Sequence, residues 1–434
     1  MKLRILIMLL LAAGALQIQA QQKLSLKEAI AVALENNYDI KMAKSDFEIA
    51  DNSVTLGGAG FLPKVDLNAS QTKTSTDTKQ EYSNGTSVDK SSSKSTSTNA
   101  GVALTWTLFD GFKMFTSYSK LKEYRDLGEM KLRAQLENSI ADVIKNYYDI
   151  VKQLYILNAA SESVRISEER VKLTQDKLDV GSASKFDLLR AKVDLNSDRS
   201  NLLNQEVIYN NLKVSLNALL ARDLSTDFTV DGDFAVKDGY TFDQLRGEAF
   251  KNNVDLLQSE SNKSISELDV TLSKADYFPR LNFNTGFTYS NSESDAGFFK
   301  TNTNTGFNFG LSVTWNLFNG FNNRRDYENA LITLDKNQLK VLAVKNSIES
   351  NLMVAFRNYT KNIEILKLEE ENLSVAKENL DLAIEQLKLG SISAIEFRDV
   401  QKNYLTAQSR LYTAYHTAKI SERDLLKQSG ILMR

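Results

Sequence analysis

Phe61-Leu62-Pro63-Lys64-Val65 returns as Tyr277-Phe278-Pro279-Arg280-Leu281, and Trp106-Thr107-Leu108-Phe109-Asp110-Gly111-Phe112 returns as Trp315-Asn316-Leu317-Phe318-Asn319-Gly320-Phe321. The 434-residue chain has two prolines and two tryptophans, so each copy of the pattern takes one of each. Between each proline and its tryptophan the apolar residues alternate with period two. After each tryptophan the period becomes helical and stays so for a long distance. A strand pair followed by very long helices, twice over, is the mark of an internal duplication.

Other landmarks share the offset. Ser25-Leu26-Lys27-Glu28 has the pattern of a capping box, and Thr241-Phe242-Asp243-Gln244 is expected to repeat the device. These stand 241 − 25 = 216 residues apart, as do the prolines, 279 − 63 = 216. The tryptophans are separated by 315 − 106 = 209, and so are Gly181 and Gly390. The repeats therefore differ in length only inside the strand pair, where the first is longer by 216 − 209 = 7 residues.

After Pro63, Val65, Leu67 and Ala69 alternate with polar residues, and after Pro279 so do Leu281, Phe283, Phe287 and Tyr289. Val102, Leu104, Trp106 and Leu108, and then Phe307, Phe309, Leu311, Val313 and Trp315, form the returning strands. Each pair reads as a hairpin of strands about ten residues long with one apolar face, and the Ser/Thr/Asn-rich tracts at 71–98 and 291–304 read as exposed loops at the tips.

From Gly111, Val143, Ile150, Leu157, Val164, Val171 and Leu178 recur every seven residues, and from Gly320 so do Leu352, Tyr359, Leu366, Leu373, Leu380 and Leu387. Gly181 and Gly390 interrupt, after which Leu188, Leu195 and Leu202, and Phe397, Tyr404 and Leu411, resume the spacing. Such a seam belongs to a coiled coil. Gly111 to Gly181 and Gly320 to Gly390 are each seventy residues, and a helix of that length reaches roughly 105 Å at about 1.5 Å per residue, far beyond the ~30 Å core of a bilayer. These charged helices stand in water.

Composition narrows the function. The formal net charge is −2 and there is no basic stretch, which argues against a nucleic-acid partner. With no cysteine and one histidine, His416, thiol chemistry, zinc clusters and histidine triads lack their materials. The expectation is no enzyme, no cofactor and no metal, with His416 in an ordinary packing or surface role beside Tyr412 and Tyr415. Lys2 and Arg4, the apolar run 5–16 and Ile18-Gln19-Ala20 read as a secretory signal peptide over 1–20, and the missing cysteine excludes a lipoprotein anchor. The remainder divides into repeat 1 (21–220, hairpin about 64–110, helical turn near 181), a connector rich in Asp and Gly (221–240) and repeat 2 (241–434, hairpin about 279–318, turn near 390).

Strands of this kind, apolar on one face with Trp and Tyr near their ends, suit a bilayer. Four of them cannot close a barrel, and open edges in lipid leave amides unpaired at several kcal/mol each. Other copies must supply the missing strands: two would make eight, too narrow for a passage, and three would make twelve. A soluble helical protein with a small capped β-layer is the alternative at this point.

The chain resembles the TolC family of outer-membrane efflux proteins over essentially its whole mature length. The resemblance is carried by the paired Phe-Leu-Pro and Tyr-Phe-Pro stretches, the paired Trp-x-Leu-Phe-x-Gly-Phe stretches, and the paired turns Val180-Gly181-Ser182 and Leu389-Gly390-Ser391. It implies an α+β membrane protein: a homotrimer with a 12-stranded β-barrel in outer-membrane lipid, four strands from each chain, continued by a coiled-coil α-helical barrel across the periplasm. It further implies that the turns dock a periplasmic adaptor linked to an inner-membrane efflux pump or ABC transporter. The function implied is a passive exit duct; a structural or adhesive trimeric coiled-coil surface protein is the alternative.

Family members carry acidic residues six and nine positions after the second turn glycine, where they line the aperture. By resemblance this role passes to Glu396 and Asp399. The matching positions in repeat 1 are Asp187 and Arg190, and Asp187 is expected to help close the tip. The aromatic latch that some members place three residues before the glycine is absent, since Leu178 and Leu387 stand there. Trp106 and Trp315 read either as membrane-interface anchors or as packing between barrel and helices, and Pro63, Pro279, Gly111 and Gly320 mark the helix–strand transitions.

Overall fold

The computed structural model describes residues 22–433; the expected signal peptide at 1–20 lies outside the described residues. In chain order the elements are β1 (Gln22–Leu24), α1 (Leu26–Asn36), α2 (Tyr38–Asn52), β2 (Lys64–Glu81), β3 (Ser87–Phe109), α3 (Lys113–Asp179) and α4 (Lys185–Leu219). Then follow β4 (Phe228–Val230), α5 (Phe242–Asn252), α6 (Val254–Ala275), β5 (Arg280–Ser294), β6 (Thr301–Thr314), α7 (Asn322–Leu389) and α8 (Ala394–Gln428). The duplication is therefore structural. The described residues form two compact units, one of Asp46–Met130 with Gln258–Ala343, the other of the remaining described residues.

The first of these units holds a four-stranded antiparallel sheet in the order β2-β3-β5-β6. Its register pairs Val65 with Leu104, Val102 with Phe287, Trp106 with Phe283, and Phe283 with Leu311. Because side chains alternate across a strand, these pairings gather the apolar residues of all four strands on one face. β2 and β6 are the edges, and each has an unpaired side.

The strands are longer than the sequence led us to expect, at 18, 23, 15 and 14 residues. Much of the polar tract 71–98 is ladder rather than loop: Gln71 pairs with Thr98, and Glu81 with Ser87. Threonine is β-branched and suits a pleated surface, and a regular ladder satisfies the backbone whatever the side chains are. Only residues 82–86 turn. Asp295, in the β5–β6 turn, accepts hydrogen bonds from Ser93 Oγ at 2.7 Å and Lys94 N at 2.9 Å, which fastens that turn to β3.

The change from strand to helix is made the same way twice. Gly111 and Phe112 both take left-handed conformations (φ 72° and 67°), as do Gly320 and Phe321 (69° and 64°). A bulky residue there is uncommon. The preceding Asp110 and Asn319 accept hydrogen bonds from Met114 N (3.2 Å) and Asn323 N (3.3 Å), capping α3 and α7.

In the helical unit the heptad positions form the core: Val143, Ile150, Leu352, Tyr359, Leu366, Leu380, Phe397, Leu411 and Leu425 are all buried. Asn37 breaks α1 from α2 by accepting from Asp39 N and Ile40 N, while its Nδ2 donates to Leu219 O at 2.8 Å. Asn253 does the same between α5 and α6 and donates to Gln428 O at 3.1 Å. The capping box at Ser25 and Glu28 is formed. Thr241, in contrast, sits at the N-cap of α5 with no side-chain capping bond.

The connector is not wholly irregular. Its β4 pairs in parallel with β1, and Phe228 and Val230 enter the core with Leu24, Tyr147 and Leu216. Tyr147 Oη donates to Leu24 O at 3.1 Å and accepts from Asp231 N at 3.0 Å, so a single buried hydroxyl satisfies both segments.

Candidate functional site: apolar band and helical tips

The apolar sheet face is mostly open. Leu67, Phe307, Phe309, Leu311 and Val313 are all more than half exposed. On β5 the band runs from Leu281 to Tyr289, eight rises, about 26 Å along the strand at ~3.3 Å each. Beyond it β2 and β3 continue with Ser, Thr and Lys. A face of this size left in water marks contact with something apolar, and its height matches the roughly 25 Å lipid band of outer-membrane barrels.

Each tryptophan is tied to its proline stretch. Trp106 Nε1 donates to Phe61 O at 2.8 Å, and Trp315 Nε1 to Tyr277 O at 3.1 Å; each acceptor lies two residues before the proline. Both indoles remain partly exposed. The two sequence landmarks of each repeat thus meet at one hydrogen bond at the foot of the sheet.

Gly181 and Gly390 both have φ 77°. Ser182 N donates to Lys177 O (2.7 Å) and Gly181 N to Leu178 O (3.0 Å); Ser391 N donates to Gln386 O (2.9 Å) and Gly390 N to Leu387 O (3.2 Å). This is the Schellman arrangement, in which a left-handed glycine lets the last carbonyls of the helix find donors. Val180 and Leu389 project into the open, and Lys177 Nζ donates to Leu387 O at 2.8 Å, joining the two tips.

The next helices start with capping boxes. Ser184 and Asp187 bond reciprocally, with Ser184 N to Asp187 Oδ2 at 3.1 Å and Asp187 N to Ser184 Oγ at 3.1 Å. Ser393 and Glu396 do likewise at 2.8 and 3.2 Å. The first two acidic candidates are therefore helix caps at equivalent positions. Asp399, exposed one turn later, accepts from Asn403 Nδ2 at 3.4 Å.

The hydroxyl and backbone amide of Ser184 hold the Asp187 carboxyl below its usual value of 3.8, and the amide and hydroxyl of Ser393 do the same for Glu396 relative to 4.5. Because the folded values are lowered, the caps contribute fully above those usual values and are lost as pH falls through the lowered ones. Amide exchange at 184–188 and 393–397 is expected to speed up as pH falls through that window, relative to α3 and α7. Equal protection at both ends of the window would contradict this.

A buried polar cluster lies behind the tips. Arg398 of α8 makes a two-armed contact with Asp198 of α4, Nη1 to Oδ2 and Nη2 to Oδ1, both at 2.7 Å. Ser167 Oγ of α3 donates to Asp198 at 2.5 Å, and Gln401 Nε2 donates to Ser167 Oγ at 3.2 Å. Arg170 pairs with Asp194 beside it. Further along the same helices, His416 Nε2 stands 2.7 Å from Asp149 Oδ1. Burial alone would raise the Asp149 carboxyl, but bonds from His416 and Lys145 outweigh it and hold it at about 2. Sequence reasoning did not anticipate Arg398 or Asp198; the available signal was that their equivalents, Leu189 and Ala407, are apolar.

Among the described residues there is no group of His, Cys, Asp or Glu that would hold a metal ion, and no helix long and apolar enough to cross a membrane.

The family model for outer membrane efflux proteins matches residues 29–222 and 245–430. Similar chains include a probable outer membrane lipoprotein, SilC, of Salmonella typhimurium, 21% identical over 92% of this chain and 84% of that one. Nodulation protein T of Rhizobium leguminosarum bv. trifolii is 22% identical over 77% and 71%. The Campylobacter jejuni CmeC outer membrane channel superposes with a TM-score of 0.76 at 17% identity, over 96% of this chain and 91% of that one. The outer membrane protein VceC of Vibrio cholerae gives 0.74 at 14%, over 93% and 96%.

Proposed function

This chain belongs to the outer membrane efflux protein family, and from that premise we propose that it is the passive exit duct of a tripartite efflux or type I secretion system. The observation that carries the reading is the four-stranded sheet, with its lipid-width apolar face and two open edges. β6 of one copy would pair with β2 of the next, so that three copies contribute 3 × 4 = 12 strands and no amide is left unpaired in lipid. The units duplicated are 21–220 and 241–434, with 221–240 connecting them. Trp106 and Trp315 anchor the band at the membrane interface, their ring edges held by the proline stretches.

The tips carry the remaining roles. Val180, Gly181, Ser182, Leu389, Gly390 and Ser391 form compact exposed turns that suit a periplasmic adaptor, which would link the duct to an inner-membrane pump or ABC transporter. Asp399 and Glu396 place carboxylates one helical turn apart on an exposed face, and threefold repetition would gather them into an acidic ring favouring cations. Asp187 keeps the first tip ordered as it closes.

Heat-resistant trimers in outer-membrane fractions, with ion conductance in planar bilayers, are the expected result. Trimers without conductance would instead favour the adhesive surface protein. In single-channel recording, Asp399→Asn with Glu396→Gln is expected to weaken cation preference and divalent block. Unchanged conductance and selectivity would remove these residues from the gate.

A further inference from the structure

We propose that Arg280, at the foot of β5, is an anion contact on the wall of the duct, and that three copies set a ring of guanidinium groups there for the carboxylate, sulfate or phosphate groups of passing solutes. The proposal rests on the duct reading above. It adds a second charged ring, opposite in sign to the carboxylates at the tips.

Side chains alternate across a strand, so the register that collects the apolar residues on one face of the sheet collects the remaining residues on the other. That second face is almost without charge: Asn68 of β2, Asn99 of β3, Asn284 and Thr288 of β5, and Asn308 and Ser312 of β6 are typical of it. In a closed barrel it is the face turned to the lumen. Its charged strand residues are Lys64, Asp66, Lys90 and Arg280. Lys64 Nζ stands 3.0 Å from Asp66 Oδ2, and Lys90 Nζ stands 3.0 Å from Asp295 Oδ2. Arg280 is exposed, and among the described residues it has no ion-pair partner.

The duplication explains the difference. Arg280 and Lys64 are equivalent, 280 − 64 = 216 residues apart, the offset that also separates the prolines. Two residues on, and therefore on the same face, repeat 1 has Asp66 and repeat 2 has Asn282. Lys64 is neutralised by its own strand, and Arg280 is not. Asn282 Oδ1 instead accepts a hydrogen bond from Thr107 Oγ1 at 3.0 Å.

Arg280 and Asn282 line a polar hollow of about 290 Å³ together with Asp110, Asp276, Asn316 and Asn323. Both carboxylates of the hollow are engaged by other groups. Asp276 Oδ1 is 3.1 Å from Lys113 Nζ. Asp110 Oδ1 accepts from Met114 N at 3.2 Å, at a helix N-terminus whose dipole favours a negative charge. The guanidinium is the unpaired charge that remains, with asparagine amides around it. Its planar fork matches two oxygens of a carboxylate or phosphate, and rings of Arg or Lys line anion pores.

In planar bilayers under a salt gradient, Arg280→Gln is expected to shift the reversal potential toward the cation limit and to lose the block that tripolyphosphate imposes on the wild-type channel. Arg280→Lys keeps the charge and should keep part of the block. The duplication supplies two further variants. Asn282→Asp copies the pairing of repeat 1 and should reproduce Arg280→Gln with the arginine still in place. Asp66→Asn frees Lys64 and should shift the potential the other way, toward the anion limit. A wild-type channel that tripolyphosphate does not block, or selectivity unchanged in both Arg280→Gln and Asn282→Asp, would overturn the anion contact and leave the duct standing. Wild-type trimers that reach the outer membrane and pass no current would overturn the duct reading itself, and the ring with it.

Discussion

Replacing Arg398 with alanine is expected to cost the helical unit about 3–5 kcal/mol, because Asp198 is left buried without a counter-charge. Both side chains are nearly covered, 12% and 11% exposed, and the two-armed contact joins α8 to α4 across 398 − 198 = 200 residues. Burial alone would lower the Arg398 pKa; the hydrogen bonds it donates to Asp198, with that carboxylate's charge, more than offset this and raise it. The duplication supplies the control. The equivalent positions, one in each repeat, are Leu189 and Ala407, so Arg398→Leu with Asp198→Ala replaces the whole ion pair by the apolar residues found at those positions. Buried ion pairs exchanged whole for apolar groups are often neutral or stabilising. Thermal and denaturant melts of the purified protein should show the single variant far below wild type and the double variant close to it. A single variant within about 1 kcal/mol of wild type would show that water reaches Asp198 and screens it.

Gly111→Ala is expected to be the most damaging small change in the sheet-bearing unit. A Cβ there would stand 2.6 Å from Ala275 O and 2.8 Å from Phe278 Cβ, in a left-handed backbone with φ 72°. The conformation costs roughly 1–2 kcal/mol in a residue with a Cβ, and forcing an atom into a packed site adds about 1–3 kcal/mol. Gly320 has nearly the same φ, 69°, but nothing within 4 Å of its Cβ position. Gly320→Ala should carry only the conformational part. The yield of folded protein in outer-membrane fractions and its melting temperature would rank the two; equal losses would show that the clash at Gly111 relaxes.

Much of this was legible in the chain because the repeats repeat their landmarks. Proline, tryptophan and the turn glycines located the elements, and the heptad positions named the core from Val143 to Leu425. The strands were read as about ten residues because Ser, Thr and Lys replace apolar residues beyond the apolar band; in water a ladder needs no apolar face, and pairing continued to Glu81. Ser184-Lys-Phe-Asp187 and Ser393-Ala-Ile-Glu396 carry the same capping signature as Ser25-Leu-Lys-Glu28, and all three boxes are formed. The Arg398–Asp198 contact could not be read from spacing at all, since it depends on how two helical hairpins are set against each other.

The strand order β2-β3-β5-β6 also constrains how the sheet is made. Each outer pairing is a local hairpin; β2 and β3 are separated by only five residues. The central pairing of β3 with β5 closes a segment running from Phe109 to Leu281, 281 − 109 = 172 positions. For a flexible chain, closing that loop costs about 3 kcal/mol more entropy than closing a five-residue turn. The central ladder is therefore expected to form late, after the four helices between β3 and β5 have shortened the span by folding. On that order each chain would first be a pair of separate hairpins with four open edges, and its sheet would be assembled from its rims inward.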